Sequence, residues 1–193
     1  MTFNIIINNP LSVISKGQII EIPASSSIYD VADSEGHSKR ELLKTKVEKR
    51  HYGLFDGFLV GEHPGVANFR LGQRKGINVG GKNAPLYVIG INQTTNQLFV
   101  GEGEQHPGLW SDVLSFSQEE FQLPNLDFNK EDADLGTEVS IHSEVTDIDL
   151  IATLYIFDGI LYLEFEAPVP IAIAGHPLEI YFDQHSTATI KIN

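Results

Sequence analysis

The residues that follow Asp158-Gly159 alternate between apolar and polar side chains, and this alternation limits the folds open to the chain. The two sets are Leu161, Leu163 and Phe165 on one side, and Tyr162, Glu164 and Glu166 on the other. Strict alternation is typical of a strand buried on one face only. Asp-Gly between two apolar runs also indicates a two-residue hairpin turn. The pattern therefore predicts an antiparallel sheet with one solvated face.

Turn signals recur from Leu54 onward, so most of the chain is predicted to form strands. Asp56-Gly57 is a second hairpin signal, and residues 94–96 close another hairpin. Residues 3–7 and 18–22 are also predicted strands. Residues 123–136 combine Pro, Asn and several acids, and they are the best candidate for a linker.

One helix is predicted, and it begins at Ser38. Ser38 and Glu41 have the spacing of a capping box, in which two residues cap each other's backbone N–H groups. The helix would continue to residue 50 with its lysines facing water. Three apolar side chains are expected to face a sheet: Leu42, Leu43 and Val47.

The acidic residues are concentrated in the second half of the chain. Residues 1–111 hold 11 Lys and Arg against 10 Asp and Glu, whereas residues 112–193 hold 2 against 16. Phosphate contacts supply most of the non-specific affinity for nucleic acid, so an acidic surface of this density should repel RNA. Any contact with RNA is therefore expected from the first half.

Composition excludes several classes of site and of cellular location for this protein. The 193 residues contain no cysteine, which excludes disulfides and thiolate metal sites within them. The seven histidines lack the spacing of a ligand set, so no metal or other cofactor is expected. No apolar run approaches the roughly 18 to 20 residues of a membrane span, and the N-terminus lacks a signal-peptide pattern. We expect a cytoplasmic protein without a membrane partner.

A glycine-rich segment fits the spacing of a phosphate-binding loop. Residues 76–82 begin with Gly76 and end in Gly81-Lys82, as G-x4-G-K requires. However, Asn83 stands where the magnesium-binding Ser or Thr should be, and the residues after Pro85 predict a strand instead of a helix. The pattern therefore disfavours a nucleotide site here.

The first half resembles a known family over a long run of motifs. They are Gly-Glu-His-Pro-Gly at 61–65, Leu-Gly-Gln-Arg-Lys-Gly at 71–76, Gly-Gly at 80–81, Pro-Leu-Tyr-Val at 85–88 and His-Pro-Gly-Leu-Trp-Ser at 106–111. In order and spacing they resemble the central domain of tRNA-specific 2-thiouridylases, the tRNA (5-methylaminomethyl-2-thiouridylate)-methyltransferase family. Weaker matches at 165–168 and 174–181 resemble the end of the family's C-terminal domain.

The resemblance implies a fold and two domains. Residues 1–112 would form a small central β domain with one short helix, and residues 113–193 an elongation-factor-like antiparallel β-barrel of six strands. Seven apolar residues would supply the barrel core: Ile148, Leu150, Leu154, Leu161, Leu163, Phe165 and Ile180. Where the family's barrel has a basic strand, this chain has the neutral and acidic residues 139–145.

The catalytic elements of the family are absent from the sequence. These enzymes resemble one another in an N-terminal nucleotide-binding domain with a Ser-Gly-Gly-x-Asp-Ser loop and in two cysteines that carry sulfur. The chain has neither, and Tyr29 stands roughly where the second cysteine would be; an ordinary polar loop is the other interpretation of residues 26–29. Because sulfur transfer needs a thiolate, no catalytic residue is expected here.

The resemblance implies that the glycine-rich loop lies on the tRNA side of the protein. The candidate RNA-binding residues are Arg70, Gln73, Arg74, Lys75 and Lys82, and arginine suits phosphate because its fork donates two hydrogen bonds. A solvated basic face is the other interpretation. The sequence thus favours an accessory module of tRNA thiolation that binds tRNA or a separate catalytic domain. The alternative is a diverged protein-interaction module whose acidic barrel binds a basic protein.

Overall fold

The computed structural model describes residues 16–30, 36–122, 135–182 and 189–192. This part of the chain contains one α-helix, α1 (Lys39–Glu48), and eleven strands. The strands are β1 (Gly17–Glu21), β2 (Phe58–His63), β3 (Leu86–Asn92), β4 (Gln97–Glu102), β5 (Trp110–Phe116), β6 (Phe121–Gln122), β7 (Thr137–Ser143), β8 (Leu150–Phe157), β9 (Ile160–Pro170), β10 (Leu178–Tyr181) and β11 (Thr189–Ile192). The prediction of a mostly β protein with one helix is confirmed.

The first sheet has four strands in the order β2-β1-β4-β3. β1 pairs antiparallel with β2 and parallel with β4, so the sheet is mixed. Alternate residues of β1 enter different cores: Ile19 packs with Leu98 on one face, and Ile20 packs with Phe99 on the other. This sheet is therefore buried on both faces, and the predicted strand at 18–22 corresponds to β1, one of its two interior strands.

The second sheet has seven antiparallel strands in the order β5-β9-β8-β7-β10-β11-β6. Every strand contributes to one core, for example Phe116 of β5, Ile141 of β7 and Ile192 of β11. The sheet therefore encloses a single core, as a barrel does. It has seven strands instead of the six predicted, and within the described residues no hydrogen bonds join its end strands β5 and β6.

The predicted boundary between two domains falls inside β5. This strand begins at Trp110 and belongs wholly to the second sheet, so the division at 112/113 stays a prediction. The two sheets share buried contacts, because Ile171 follows β9 and packs into a core of the first sheet beside Ile20. Helix α1 also connects the two sheets. It precedes β2, a strand of the first sheet, in sequence, but it packs on the second sheet.

Helix α1 begins as the sequence predicted. The Ser38 side chain accepts a hydrogen bond from the backbone of Glu41, whose carboxylate accepts one from the backbone of Ser38. Leu43 is fully buried against Val113 and Tyr162 of the second sheet. Tyr162 was expected on a solvated face, and that prediction is wrong because α1 covers this part of β9.

The lysines of α1 do not all face water, which corrects a second expectation. Lys39 Nζ lies 2.6 Å from a carboxylate oxygen of Glu164. Lys46 Nζ lies 2.7 Å from Asp112 and 3.6 Å from the same Glu164. The helix therefore uses its cations to neutralise acids on β5 and β9. Lys44, in contrast, is exposed and near only Glu48 of its own helix.

The turn predictions have mixed outcomes. Asp158-Gly159 joins β8 to β9 with both residues at positive φ, 53° and 77°, which is the conformation of a two-residue hairpin turn. Asp56-Gly57 forms no hairpin, because the Asp56 carboxylate accepts a hydrogen bond from the backbone of Gly53 and closes a 3₁₀ turn before β2. The turn at 94–96 does join β3 to β4.

One predicted core residue is exposed. Ile148 lies in the turn between β7 and β8 with 72% of its surface accessible. The other six predicted core residues are buried or packed against the core. The predicted strand at 3–7 and nearly all of the linker at 123–136 lie outside the described residues. Within the described ranges, no helix is long and apolar enough to cross a membrane.

Candidate nucleic-acid interface

The candidate RNA-binding loop, residues 70–82, is held against the first sheet by backbone hydrogen bonds. The N–H of Gly72 donates to the carbonyl of Val88 at 2.8 Å, and the N–H of Val88 donates to the carbonyl of Gln73 at 2.9 Å. Ile77 is buried in the core beside β3. The loop is therefore fixed at both of its halves, and its exposed side chains project from a rigid support.

Gly72 meets a steric requirement at the junction of the two sheets. Its φ is +77°, a conformation that L side chains rarely adopt. A Cβ at this position would lie 3.0 Å from the Cβ of Ala172, in the 3₁₀ segment after β9. The loop can therefore approach the second sheet this closely only with glycine here.

Gln73 uses its side chain to shape the loop. Its Oε1 accepts a hydrogen bond from the backbone of Arg70 at 3.0 Å, and its Nε2 donates to the carbonyl of Lys75 at 2.8 Å. Both ends of the amide are thus engaged inside the loop. The arrangement gathers the backbones of Arg70, Arg74 and Lys75 into one turn, with the three cationic side chains exposed.

These three cations have no carboxylate partner in the part of the chain that is described. The ion pairs of the described residues are formed by other cations, such as Arg40 and the lysines of α1. None of these pairs includes Arg70, Arg74 or Lys75. Arginine donates in a planar fork that matches a phosphate, and exposed unpaired cations are the groups that phosphates attract. Three of the five predicted residues therefore present free positive charge on one loop.

Lys82, the fifth predicted residue, is placed differently. Its Nζ forms an ion pair with the carboxylate of Glu21 at the end of β1, and the two side chains are only 25% and 13% exposed. Lys82 therefore does not join the cluster of free cations. The residues after it extend into β3, as the sequence predicted, whereas a phosphate-binding loop of this motif leads into a helix.

Tyr29, the residue near the expected position of a family cysteine, belongs to a packed aromatic group. Its hydroxyl donates to the hydroxyl of Tyr52 at 3.1 Å, and its ring meets the ring of His106 edge-on at 5.5 Å. Burial raises the pKa of the Tyr29 phenol well above its ordinary value. The phenol stays protonated and acts as a hydrogen-bond donor. Its equivalence to the cysteine stays a prediction.

The two His-Pro-Gly motifs form the same kind of turn. The Nδ1 of His63 accepts from the N–H of Gly65 at 3.0 Å, and the Nδ1 of His106 accepts from the N–H of Gly108 at 3.0 Å. His106 caps the 3₁₀ turn Pro107–Leu109, whereas the 3₁₀ turn after His63 begins at Val66 with Gly65 as its cap. Each buried histidine therefore holds the backbone two residues further along the chain through its ring nitrogen. Across the described ranges, no three His, Asp or Glu residues are placed to hold a metal ion.

A cleft between the two sheets was not predicted from the sequence. Its volume is about 520 Å³, and it lies between β3 and β5 beside the end of α1. Arg50, His51 and Arg70 line it, so the cleft adjoins the free cations of the loop. In the sequence, the only local signal of this cleft was a pair of basic residues at the end of the predicted helix. The cleft itself could not be predicted, because the strands that form its walls are distant in sequence.

The chain matches a protein family within this region. Residues 42–102 match the family described as the tRNA methyl transferase PRC-barrel domain, and the matched segment contains the whole loop. Many curated proteins are also similar to the chain.

Three of these relatives carry the name tRNA-specific 2-thiouridylase MnmA. The protein from Christiangramia forsetii is 32% identical over 156 residues, which are 79% of this chain and 38% of the relative. The protein from Flavobacterium johnsoniae is 30% identical over 87% of this chain and 42% of its own length. The protein from Karelsulcia muelleri is 33% identical over 86% and 40%. The chain thus spans about two fifths of the length of these relatives.

Proposed function

We propose that this chain is a non-catalytic accessory module of wobble-uridine thiolation. It carries the PRC-barrel domain of the tRNA methyl transferase family, and it is homologous to the central and C-terminal region of tRNA-specific 2-thiouridylases. The observation that carries the proposal is the loop inside the matched segment, whose three cations pair with no acid in the described ranges. The module acts in the cytoplasm and binds tRNA through this loop.

The five candidate residues have different roles in this proposal. Arg70, Arg74 and Lys75 contact phosphates of the tRNA backbone, because their side chains are exposed and no acid among the described residues pairs with them. Gln73 positions them through its two hydrogen bonds within the loop. Lys82 supports the edge of the site and reaches a phosphate only by leaving Glu21. Backbone contacts of this kind hold tRNA without reading its sequence.

The chemistry of thiolation is assigned to residues outside these 193. They contain no cysteine, and a thiolate is the group that carries sulfur. Incubated with ATP, a sulfur donor and unmodified tRNA, the chain by itself should release no pyrophosphate and form no 2-thiouridine. Formation of 2-thiouridine under these conditions would refute the non-catalytic part of the proposal.

An apolar edge of the first sheet is the proposed contact with a catalytic domain. Phe55 is 98% exposed, and Leu54, Phe58 and Leu59 are exposed beside it. Among the described strands β2 lies at the edge of its sheet, and an edge strand offers its outer backbone groups to a partner. Exposed apolar side chains on an open edge mark contact sites in soluble proteins.

Titration of the chain with purified tRNA at low salt tests the tRNA contact. Arg74→Ala should weaken binding and reduce the dependence of log K on log salt by about one contact, because one phosphate partner is lost. Lys44→Ala, which removes an exposed helix charge, is the matched control and should bind as the wild type does. If the wild type neither binds tRNA at low salt nor retains a thiolation enzyme in a pull-down, the proposal fails.

A second function is favoured by one surface of the second sheet. The turn between β7 and β8 exposes Glu144 and Asp147 beside Ile148, and Ile151 of β8 is 54% exposed. An acidic surface with apolar side chains fits a basic protein partner, whose association would weaken as salt rises. A persistent partner that is acidic or neutral, and whose binding ignores salt, would count against this function.

A further inference from the structure

The guanidinium group of Arg50 is partly buried without a partner. Its Nη1 atom is inaccessible to solvent and makes no hydrogen bond to any of the described residues. No carboxylate of the described chain pairs with Arg50, which follows the end of α1, although Lys39 and Lys46 of that helix both have one. A guanidinium that is partly withdrawn from water and has no counter-charge is unfavourable, so the accessible part of Arg50 favours the approach of an anion.

The cleft beside Arg50 has the size of a small-molecule site. Its volume of about 520 Å³ is within the range of roughly 300 to 1,000 Å³ that is typical of ligand pockets. A smaller cleft of about 190 Å³ shares Arg50, His51 and Gln93 with it and extends toward Tyr52. The walls therefore continue on both sides of the arginine, and inorganic phosphate would fill only a small part of the space.

The cleft is electropositive in a protein whose net charge is −13. Arg50 and Arg70 line it, and among the described lining residues the one acid is Glu120. The Glu120 carboxylate accepts hydrogen bonds from the backbone and hydroxyl of Ser117, which lie 2.7 and 2.8 Å away. These bonds hold one oxygen of Glu120 in its own turn, and the two arginines outnumber this single acid in the described lining.

Apolar side chains cover much of the remaining wall. Phe69 precedes the loop and Leu71 belongs to it, and Ile89 and Ile171 come from β3 and the segment after β9. Gln93 and Ser115 add hydrogen-bonding groups at the rim. An apolar wall with a few donors and acceptors and a cation at one end matches the parts of a nucleotide, which are a flat base, a polar sugar and a phosphate.

We propose that this cleft binds a single unstacked ribonucleotide, with its phosphate on Arg50 and its base over the apolar wall. Arg70 connects the cleft to the loop of free cations, so an RNA strand held on that loop can place one nucleotide in the cleft. The nucleotide site goes beyond the backbone contacts of the proposed function. It rests on the proposed function only for the origin of the nucleotide in tRNA.

Isothermal titration calorimetry with uridine 5′-monophosphate tests the site, with uridine and inorganic phosphate as separate arms. The nucleotide should bind saturably and at least tenfold more tightly than either arm, because only the nucleotide supplies both phosphate and base. Arg50→Gln should weaken nucleotide binding at least tenfold, and Arg50→Lys should weaken it less. Lys44→Gln removes the same charge from the exposed side of α1 and should leave it unchanged.

The outcomes separate this site from the proposed function. No saturable nucleotide binding by the wild type, equal binding of inorganic phosphate, or an unchanged affinity in folded Arg50→Gln would overturn the nucleotide site, while tRNA binding through the loop could still be observed. Nucleotide binding without any tRNA binding would refute the tRNA role and support the site. If Arg50→Gln does not fold, the wild type decides the question: addition of the nucleotide should shift the ring-proton NMR signals of His51, and unchanged signals would contradict the site.

Discussion

Helix α1 and the loop at 70–75 are both basic in sequence, but three cations of the helix are engaged by the second sheet, whereas those of the loop pair with no described acid. On the helix, Lys39 and Lys46 contact carboxylates of the second sheet, and Arg40 pairs with Asp158 in the turn after β8. On the loop, Arg74 and Lys75 pair with no acid of the described chain. A run of cations therefore predicts a binding surface only after its acidic partners have been counted.

The comparison also explains how the acidic second half is accommodated. Glu164 is surrounded by two lysines of α1, and its side chain is only 19% exposed. Ion pairs that are partly withdrawn from water are screened less by salt than exposed pairs are. The helix therefore neutralises the acids nearest the first sheet, and RNA would have to displace these pairs before it could use the helix.

The largest effect is expected from breaking the contact between α1 and the second sheet. Leu43→Ala removes a fully buried side chain that packs against Val113 and Tyr162, and it should lower the free energy of unfolding by about 2–5 kcal/mol. Urea unfolding measures the loss. Leu42→Ala, on a partly exposed face of the same helix, is the control and should cost clearly less. Equal losses would show that α1 does not pack as described.

A smaller effect is expected from removing one helix cation. Lys46→Met takes away the partner of both Asp112 and Glu164 and should lower the free energy of unfolding by about 1 kcal/mol, because the pairs are only partly buried. Lys44→Met, whose nearest acid is 3.8 Å away on the exposed helix surface, should change it by less than about 0.5 kcal/mol. A comparable result for both variants in urea unfolding would contradict the distinction between paired and free cations.

The smallest effect concerns pH and the turn at His106. Burial lowers the pKa of His106 below its ordinary value of about 6.5. As the pH falls below 6.5, the unfolded chain takes up a proton at this residue that the folded chain does not, so stability declines toward the lowered folded pKa. His106→Gln should therefore flatten the acid decline by at most about 1.4 kcal/mol per pH unit, the limit for one proton. Identical slopes in urea unfolding at pH 5 to 7 would contradict this origin.

The parts of the fold that depend on local signals were predictable. The capping box of Ser38 and the turn at Asp158-Gly159 were correct because neighbouring residues determine both. The parallel pairing of β1 with β4 could not be read from the sequence, since it joins distant segments. The hairpin predicted at Asp56-Gly57 was wrong because the Asp56 carboxylate accepts a hydrogen bond from the backbone of Gly53. The dipeptide alone does not reveal this bond.

The candidate site was predictable only in part, for the same reason. The cations of the loop could be named from the sequence, but the bond of Lys82 to Glu21 depends on how the loop crosses the sheet. Arg50 was absent from the predicted site because β3 and β5, which enclose it, are separated in sequence. Tyr162 was placed on a solvated face because alternation does not show which element covers a strand.

The salt dependence of tRNA binding tests most directly whether the loop or the helix carries the RNA contact. One variant replaces Arg70, Arg74 and Lys75 by Gln, and the other replaces Lys39, Arg40 and Lys46 by Gln. The loop variant should lower the magnitude of the slope of log K against log salt by about 3, one unit for each lost phosphate contact. The helix variant, if folded, should keep the wild-type slope. A reduced slope for the helix variant together with an unchanged slope for the loop variant would contradict the account.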